Sequence, residues 1–424
     1  MNENDFIKGA GDVLKQLKVL GLCHYLQGPA ATQYLADLGA DVIKVEPLTG
    51  AHERHWAGAK SFIGDLSSFY LSANRNKRSL AIDLKTDEGR RIMEKLIARS
   101  DAIIENFRPG VLERLGLGYE AVKKINPGII YASASGFGPT GPMKDSPGQD
   151  LLIQARCGLA AGTGERFSSP KVVGAAVVDQ HGGALLAMAV LAAYINKLST
   201  GQGTRVESSL FNAGLDLQAE ALVAYNNSDA DRERYRRHPN LATWFHEAPY
   251  GVYETHDHRF VAIGLNDPHK LASALSSTKL EELAGVDLYE DRDAYAAAVT
   301  EAVSQLSYEQ MARRFDELAL WYAPVQDYED LKTDPQVLHN KIYEKVSLDG
   351  REVTLINNAV RYQGKTLPIR RISLRAGSDT REILQEIGLD EQAIDGLIER
   401  GVVGATPDSV ATFSSKVEPE TVDE

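Results

Sequence analysis

The feature that most constrains the fold is a change of period that repeats between residues 17 and 135. Short apolar stretches at 17–22, 41–46, 79–84, 101–106 and 128–135 read as strands. Between them lie helical patterns at 30–38 and 87–100 and a short one at 110–115. Thr86 is placed to cap the second helix, and Asp87 and Glu88 in its first turn suit the helix dipole. Strand and helix alternating in this way predict an α/β fold with a parallel sheet, helices on both faces and right-handed crossovers. Helical pattern resumes over 150–159 and 179–198, and 204–210 is strand-like.

A chain of 424 residues, 43% hydrophobic and 25% charged, has the composition of a globular protein of two or three domains. The polar, Arg- and Asp-rich stretch 226–240 reads as a loop or linker. A hairpin-like pair follows around Asp257-His258, and helices continue to about 320, so 225–325 is a candidate second domain. Pro324 begins a return segment, and 406–424 has the Ser/Thr/Pro/acid composition of a disordered tail. A formal net charge of −13 disfavours nucleic acid or an anionic membrane surface as partner. Cys23 and Cys157 lie far apart in apolar surroundings, with no metal-type pairing, which argues against a disulfide framework and fits a reducing compartment. The acidic N-terminus does not read as a signal peptide, so a cytoplasmic location is expected. The uncharged apolar segment 182–196 falls short of the ~20 residues that cross a bilayer and reads as a buried core helix.

Four motifs carry possible chemistry. Gly136-Phe137-Gly138-Pro139-Thr140-Gly141 matches G-x-G-x-x-G, but Pro139 and Pro142 suit a turn better than a helix cradling pyrophosphate, so a Gly/Pro loop is preferred over a dinucleotide site. His256-Asp257-His258 has no further ligand cluster and reads as a hairpin turn, with no metal site. Arg75, Lys77 and Arg78, with Lys85, Arg90 and Arg91, form a basic cluster that is either a solvated face or a phosphate contact. Asp179 is the only formally charged residue between Val172 and Asn196, with His181 taken as neutral. It reads either as the N-cap of the helix that follows or, kept ionised by that helix end, as a nucleophile.

The segment 28–46, from Gly28-Pro29 to Lys44-Val45-Glu46, resembles the opening of class III CoA-transferases, the formyl-CoA transferase and CaiB/BaiF family. Further signatures follow in family order: Asn74-Arg75-Asn76-Lys77-Arg78 through Lys85, Glu105-Asn106-Phe107-Arg108-Pro109-Gly110, the Gly136–Pro142 loop, Pro147-Gly148-Gln149-Asp150 and Thr200-Gly201-Gln202-Gly203. The match covers about 12–400. It implies a Rossmann-like large domain built from both chain ends, here 1–220 and 326–405, plus a smaller α+β domain at 225–325. It also implies ring-shaped monomers interlocked as a homodimer. The implied activity is CoA transfer between an acyl-CoA and a carboxylic acid, with acyl-CoA as substrate and no permanently bound cofactor. The family nucleophile maps onto Asp179, which would pass through an aspartyl-acyl anhydride and an aspartyl-CoA thioester. His24, Tyr25, Ile82, Lys85, Asn106, Phe107, Arg114 and Leu115 fall at CoA-contacting positions, and Gln149 and Asp150 near the acyl site.

The sequence also departs from the family pattern. The poly-Gly loop of formyl-CoA transferases is replaced by 240–251, which includes Trp244, Phe245 and His246, so formyl or oxalate specificity is not implied. A basic residue common after the second strand is Pro47, and the C-terminal Gly-Glu-His-Thr is Gly377-Ser378-Asp379-Thr380. The related α-methylacyl-CoA racemases use a histidine where this chain has Gln149, and an amide is no general acid or base at neutral pH. A non-catalytic CoA-thioester binder and a nicotinamide dehydrogenase are weaker alternatives. Arg232, Arg234, Arg236, Arg237 and His246 are candidates for holding the second carboxylate of a dicarboxylic substrate, which favours succinyl-CoA or a similar donor.

Overall fold

A computed structural model describes residues 13–165, 168–229 and 232–406. The chain divides into two compact units. The first comprises Met1–Asp150, Val177–Ala213 and Pro335–Glu424, and the second Leu151–Ala176 and Gly214–Asp334. From the sequence, 151–176 was expected in the large domain and the return at 326. The buried Arg237 gives a physical reason for the difference, because its guanidinium donates to the carbonyls of Gly162 and Gly164 and so ties the earlier segment to the second unit. The proposed tail beyond Thr406 lies outside the described residues.

The first unit is built on β1 (Lys18–Leu22), β2 (Asp41–Glu46), β3 (Arg78–Ile82), β4 (Ala102–Glu105), β5 (Ile130–Ser135) and β6 (Thr204–Ser209). These pair in parallel in the order β3-β2-β1-β4-β5-β6. Val403–Gly404 adds an antiparallel edge beside β3. This is the doubly wound order, whose reversal point lies between β1 and β4. Side chains alternate across the sheet as a two-residue period requires: Leu20 and Leu22 enter one core, Leu17, Val19 and Cys23 the other. The first core is covered by α2 (Asp87–Ala98), through Ile92, Met93, Leu96 and Ile97, and Thr86 caps this helix as expected. The second is covered by α1 (Gln27–Asp37) and α3 (Val177–Thr200).

Helix α1 begins three residues before the apolar pattern, because Pro29 in a first turn has no N–H to leave unpaired. Gly28 is required there: a Cβ would stand 2.7 Å from Cys23 Sγ and 3.1 Å from Asn106 Cγ. Helix α3 crosses α1 at close range, and a Cβ on Gly183 would stand 2.9 Å from the Gln27 carbonyl oxygen. Only one face of α3 is core. Leu186 and Val190 are fully buried, whereas Met188, Ile195 and Leu198 are exposed by 61–68%, so the reading of 182–196 as a buried helix is corrected to a helix with one open apolar face. At 24 residues α3 has the length and hydropathy to cross a membrane.

Within the basic cluster, Arg75, Lys77 and Arg78 are structural and form no phosphate grip. Arg75 pairs with Asp37 at 2.6 Å, Lys77 donates to the carbonyls of Pro29 and Ala73, and Arg78 bridges Asp41 and Glu386. In the second unit, Gly251–Glu254, Phe260–Ile263 and Tyr322–Pro324 form an antiparallel sheet. Its core includes Tyr253, Val261, Tyr295 and Phe315. His256-Asp257-His258 is the turn of this hairpin, with Thr255 Oγ1 donating to Asp257.

Candidate active site

The carboxyl ends of β1, β2, β3 and β4 surround an apolar cleft of about 440 Å³. Leu22, Val45, Leu48, Ile82, Phe107 and Leu115 line it, with Lys85 at its polar side. Open α/β sheets bind ligands outside the carboxyl ends of their strands at the reversal point, and Leu22 lies opposite Glu105 at that position. Just beyond, His24 and Asn106 lock the two strand ends together. The His24 amide donates to Asn106 Oδ1 at 2.9 Å, and Asn106 Nδ2 returns a bond to the His24 carbonyl at 2.8 Å. The His24 ring lies 5.0 Å from that of Phe107. Burial lowers the His24 pKa, which favours the neutral ring.

Of the positions singled out from the sequence, Ile82, Lys85, Phe107 and Leu115 therefore line one cleft, and His24 and Asn106 form the strut at its edge. Tyr25 follows the strut in left-handed backbone (φ 58°), with its amide donating to Glu53 and its ring 46% exposed. Arg114 ends the short helix Val111–Arg114 with an exposed side chain next to Leu115.

Asp179 is the third residue of α3 and not its cap. The capping role belongs to Asp150, whose Oδ1 accepts the amides of Val178 at 2.8 Å and of Asp179 itself at 3.1 Å. A carboxylate on orphan amides at a helix start is a favourable arrangement, and here it takes up the helix N-terminus that the sequence reading had assigned to Asp179. Burial, and secondarily the Asp150 charge, push the Asp179 pKa from 3.8 up to about 7. The expectation that Asp179 caps this helix and is kept ionised by its end is thus corrected: Asp150 is the cap, and burial shifts Asp179 toward its protonated form. Among the described residues no cation pairs with the Asp179 carboxylate. Gly182 and Gly183, one turn on along the same face, are buried where α3 packs against α1.

Gln149 precedes Asp150 and is exposed. His246 belongs to the second unit, where its Nδ1 meets Thr243 Oγ1 at 2.7 Å and its ring lies 4.6 Å from those of Phe245 and Tyr250. Arg237 cannot take a substrate carboxylate, since its donors are spent on the backbone carbonyls of Gly162, Gly164, Leu241 and Ala242. Arg236 is exposed and paired with Glu233, and the side chains of Arg232 and Arg234 lie outside the described residues. Sequence reasoning missed Leu22, Val45 and Leu48. They are ordinary apolar residues whose only signal was their place at strand ends beside the first crossover.

The model of CoA-transferase family III matches residues 14–380. An acyl-CoA transferase of Fusarium pseudograminearum is 33% identical over 92% of this chain and 88% of its own length. The human succinyl-CoA:glutarate CoA-transferase is 31% identical over 92% of this chain and 90% of its own. Among solved structures, a CaiB/BaiF family protein from Brucella suis superposes with a TM-score of 0.73 at 30% identity, covering 88% of this chain and 98% of that one.

Proposed function

The chain belongs to the class III CoA-transferases, and from that membership we propose that it moves CoA from a small dicarboxylyl-CoA, succinyl-CoA foremost, to an acceptor carboxylate through covalent intermediates on Asp179. The observation that carries this reading is the Asp179 carboxylate itself: partly buried and, among the described residues, without a cation. An ion-paired carboxylate would have to break its partnership before attacking. The name of the human relative supports the choice of donor.

In the proposed cycle, Asp179 attacks the thioester carbonyl and expels CoA thiolate, leaving a mixed anhydride. The thiolate attacks the Asp179 carbonyl, releases the donor acid and leaves an aspartyl-CoA thioester. The acceptor carboxylate opens that thioester, and the returning thiolate takes its acyl group. Each intermediate keeps the activation of the original thioester, so no ATP is required, and water has to be excluded throughout. The apolar cleft suits the adenine ring against Phe107 and Leu115, with Lys85 and Arg114 toward the phosphates. Asp150 orients the first turn of α3 and so the nucleophile. The open face of α3 at Met188, Ile195 and Leu198 suits burial in a homodimer.

The test is to incubate the enzyme with succinyl-CoA and a panel of carboxylic acids and follow acyl-CoA products and intact protein by mass spectrometry. We expect exchange, a CoA-sized adduct on Asp179 and its conversion by hydroxylamine to a hydroxamate. Exchange at the wild-type rate by Asp179→Ala refutes the mechanism. Exchange of the α-proton without CoA transfer would instead indicate a racemase.

A further inference from the structure

Gln27, the first residue of α1, is 3% exposed, and its Nε2 has no hydrogen-bond partner among the described residues. A buried amide donor left unpaired is costly, and such groups persist in native structures for a reason. This one is pressed against the helix that carries Asp179. A Cβ on Gly182 would stand 2.8 Å from Gln27 Nε2, a contact possible only because Gly182 has no side chain. Gly182 follows Asp179 by three residues, and on a helix such positions are neighbours, their Cβ sites about 5–6 Å apart. An unused donor therefore lies about one helical turn from a carboxylate that has no donor of its own among the described residues. The next residue, Gly28, packs against Asn106, so the same helix start connects the strut of the CoA cleft to the nucleophile.

We infer that Gln27 Nε2 is the hydrogen-bond donor to the carbonyl oxygen of Asp179 in its covalent stages, a role that rests on the reading of Asp179 as nucleophile. When CoA thiolate attacks Cγ of the mixed anhydride, the S–Cγ bond forms and the Cγ=O π pair moves onto Oδ. That oxygen gains charge and accepts the N–H of Gln27. Collapse restores the carbonyl and breaks the bond from Cγ to the acyl oxygen, and the donor acid leaves with the electron pair. Acceptor attack on the aspartyl-CoA thioester uses the same oxygen, with thiolate as leaving group. No proton moves in either step. A carboxamide suits the task because it is neutral: a lysine or arginine there would hold the resting carboxylate in an ion pair, whereas an amide strengthens its bond only as charge develops.

The experiment compares wild type with Gln27→Met, which keeps length and burial but has no donor, and with Gln27→Ala. The readouts are kcat with succinyl-CoA, acyl-CoA affinity by calorimetry, thermal midpoint, and the adduct on Asp179 in rapidly quenched samples. We expect kcat to fall about 10²- to 10³-fold, the range for loss of one oxyanion donor. Affinity should hold within about threefold, the midpoint should be unchanged or higher, and the quenched variants should accumulate anhydride at the expense of CoA thioester. A kcat within about threefold of wild type in either folded variant, or a loss confined to affinity or to thermal midpoint, overturns the inference. If wild type itself carries no adduct, the nucleophile reading fails; if it carries one and both variants match it, only the role of Gln27 fails.

Discussion

Replacing Asp179 by asparagine should stabilise the protein, and by an amount that grows with pH. Burial first and Asp150 second raise the Asp179 pKa from 3.8 to about 7. Between those values the native state holds a proton that the unfolded state has released, so stability falls as pH rises from about 4 to about 7 and is level above. A shift of about three units at 1.36 kcal/mol each sets a ceiling of ~4 kcal/mol. Asp179 is partly exposed, and screening by solvent brings the expected cost to ~2 kcal/mol. Asparagine never ionises and avoids that cost. The advantage of Asp179→Asn should be about a third of its full size at pH 5 and complete at pH 8. The assay is urea or thermal unfolding of both proteins at matched pH values. Glu105, which burial raises to about 7, contributes the same slope to each and cancels in the difference. A difference that is constant from pH 5 to pH 8, or a variant less stable than wild type at pH 8, refutes the reasoning. The same ionisation should appear kinetically, as adduct formation that rises with pH through an apparent pKa near 7.

Asp150→Asn keeps an oxygen for the amides of Val178 and Asp179 but removes the like charge, so the rising limb of the pH–rate profile should move down by up to about one unit. Gly183→Ala puts a Cβ 2.9 Å from the Gln27 carbonyl oxygen and should cost about 1–3 kcal/mol in urea unfolding. Arg54→Met strips the partner from buried Glu46, whose pKa burial would raise but whose Arg54 contacts bring it to about 2. The loss should be about 3–5 kcal/mol at neutral pH and should shrink as pH falls from 4.5 toward 2, measured by unfolding across that range. Phe107→Ala removes an aromatic wall of the cleft and should weaken CoA binding about tenfold by calorimetry, with the fold unchanged by circular dichroism.

Strands β1, β2 and β4 were legible because they are buried on both faces and stand out as apolar runs, and the cap of α2 because Thr86 acts on its own next turn. What escaped the sequence was set by partners distant in the chain. Arg75, Lys77 and Arg78 form a charge cluster on paper, yet their partners include Asp37, the Pro29 carbonyl and Glu386, and no local pattern announces those meetings. Arg237 looked like a ligand for a substrate carboxylate and is a clamp on carbonyls some seventy residues earlier. Asp179 was legible as an isolated acid before a helix, but the cap of that helix comes from Asp150, 29 residues before it. Gln27 gave no signal at all, since its significance is an absent partner and a contact with Gly182 on another helix.

That displacement of the cap changes the chemistry expected of Asp179. Had its own oxygens faced the first amides of α3, the carboxylate would be stabilised and correspondingly unreactive. With Asp150 on those amides, Asp179 bears the cost of burial and becomes more basic. A pKa near the working pH balances two demands, because enough of the group is ionised to attack while each anion is a stronger nucleophile than an ordinary aspartate. The same basicity acts on the anhydride of the proposed cycle. Thiolate can strike either carbonyl: attack on the acyl side expels Asp179, attack on Cγ expels the donor acid. An unperturbed carboxylic acid, with a pKa of about 4, is the better leaving group of the two. The environment that raises the Asp179 pKa thus favours attack at Cγ, the direction that carries CoA onto the protein and transfer forward. Lowering that pKa through Asp150→Asn should return more of the anhydride to donor acyl-CoA. Isotope exchange between labelled CoA and succinyl-CoA without an acceptor reports that return, and an exchange rate unchanged relative to turnover would refute the link.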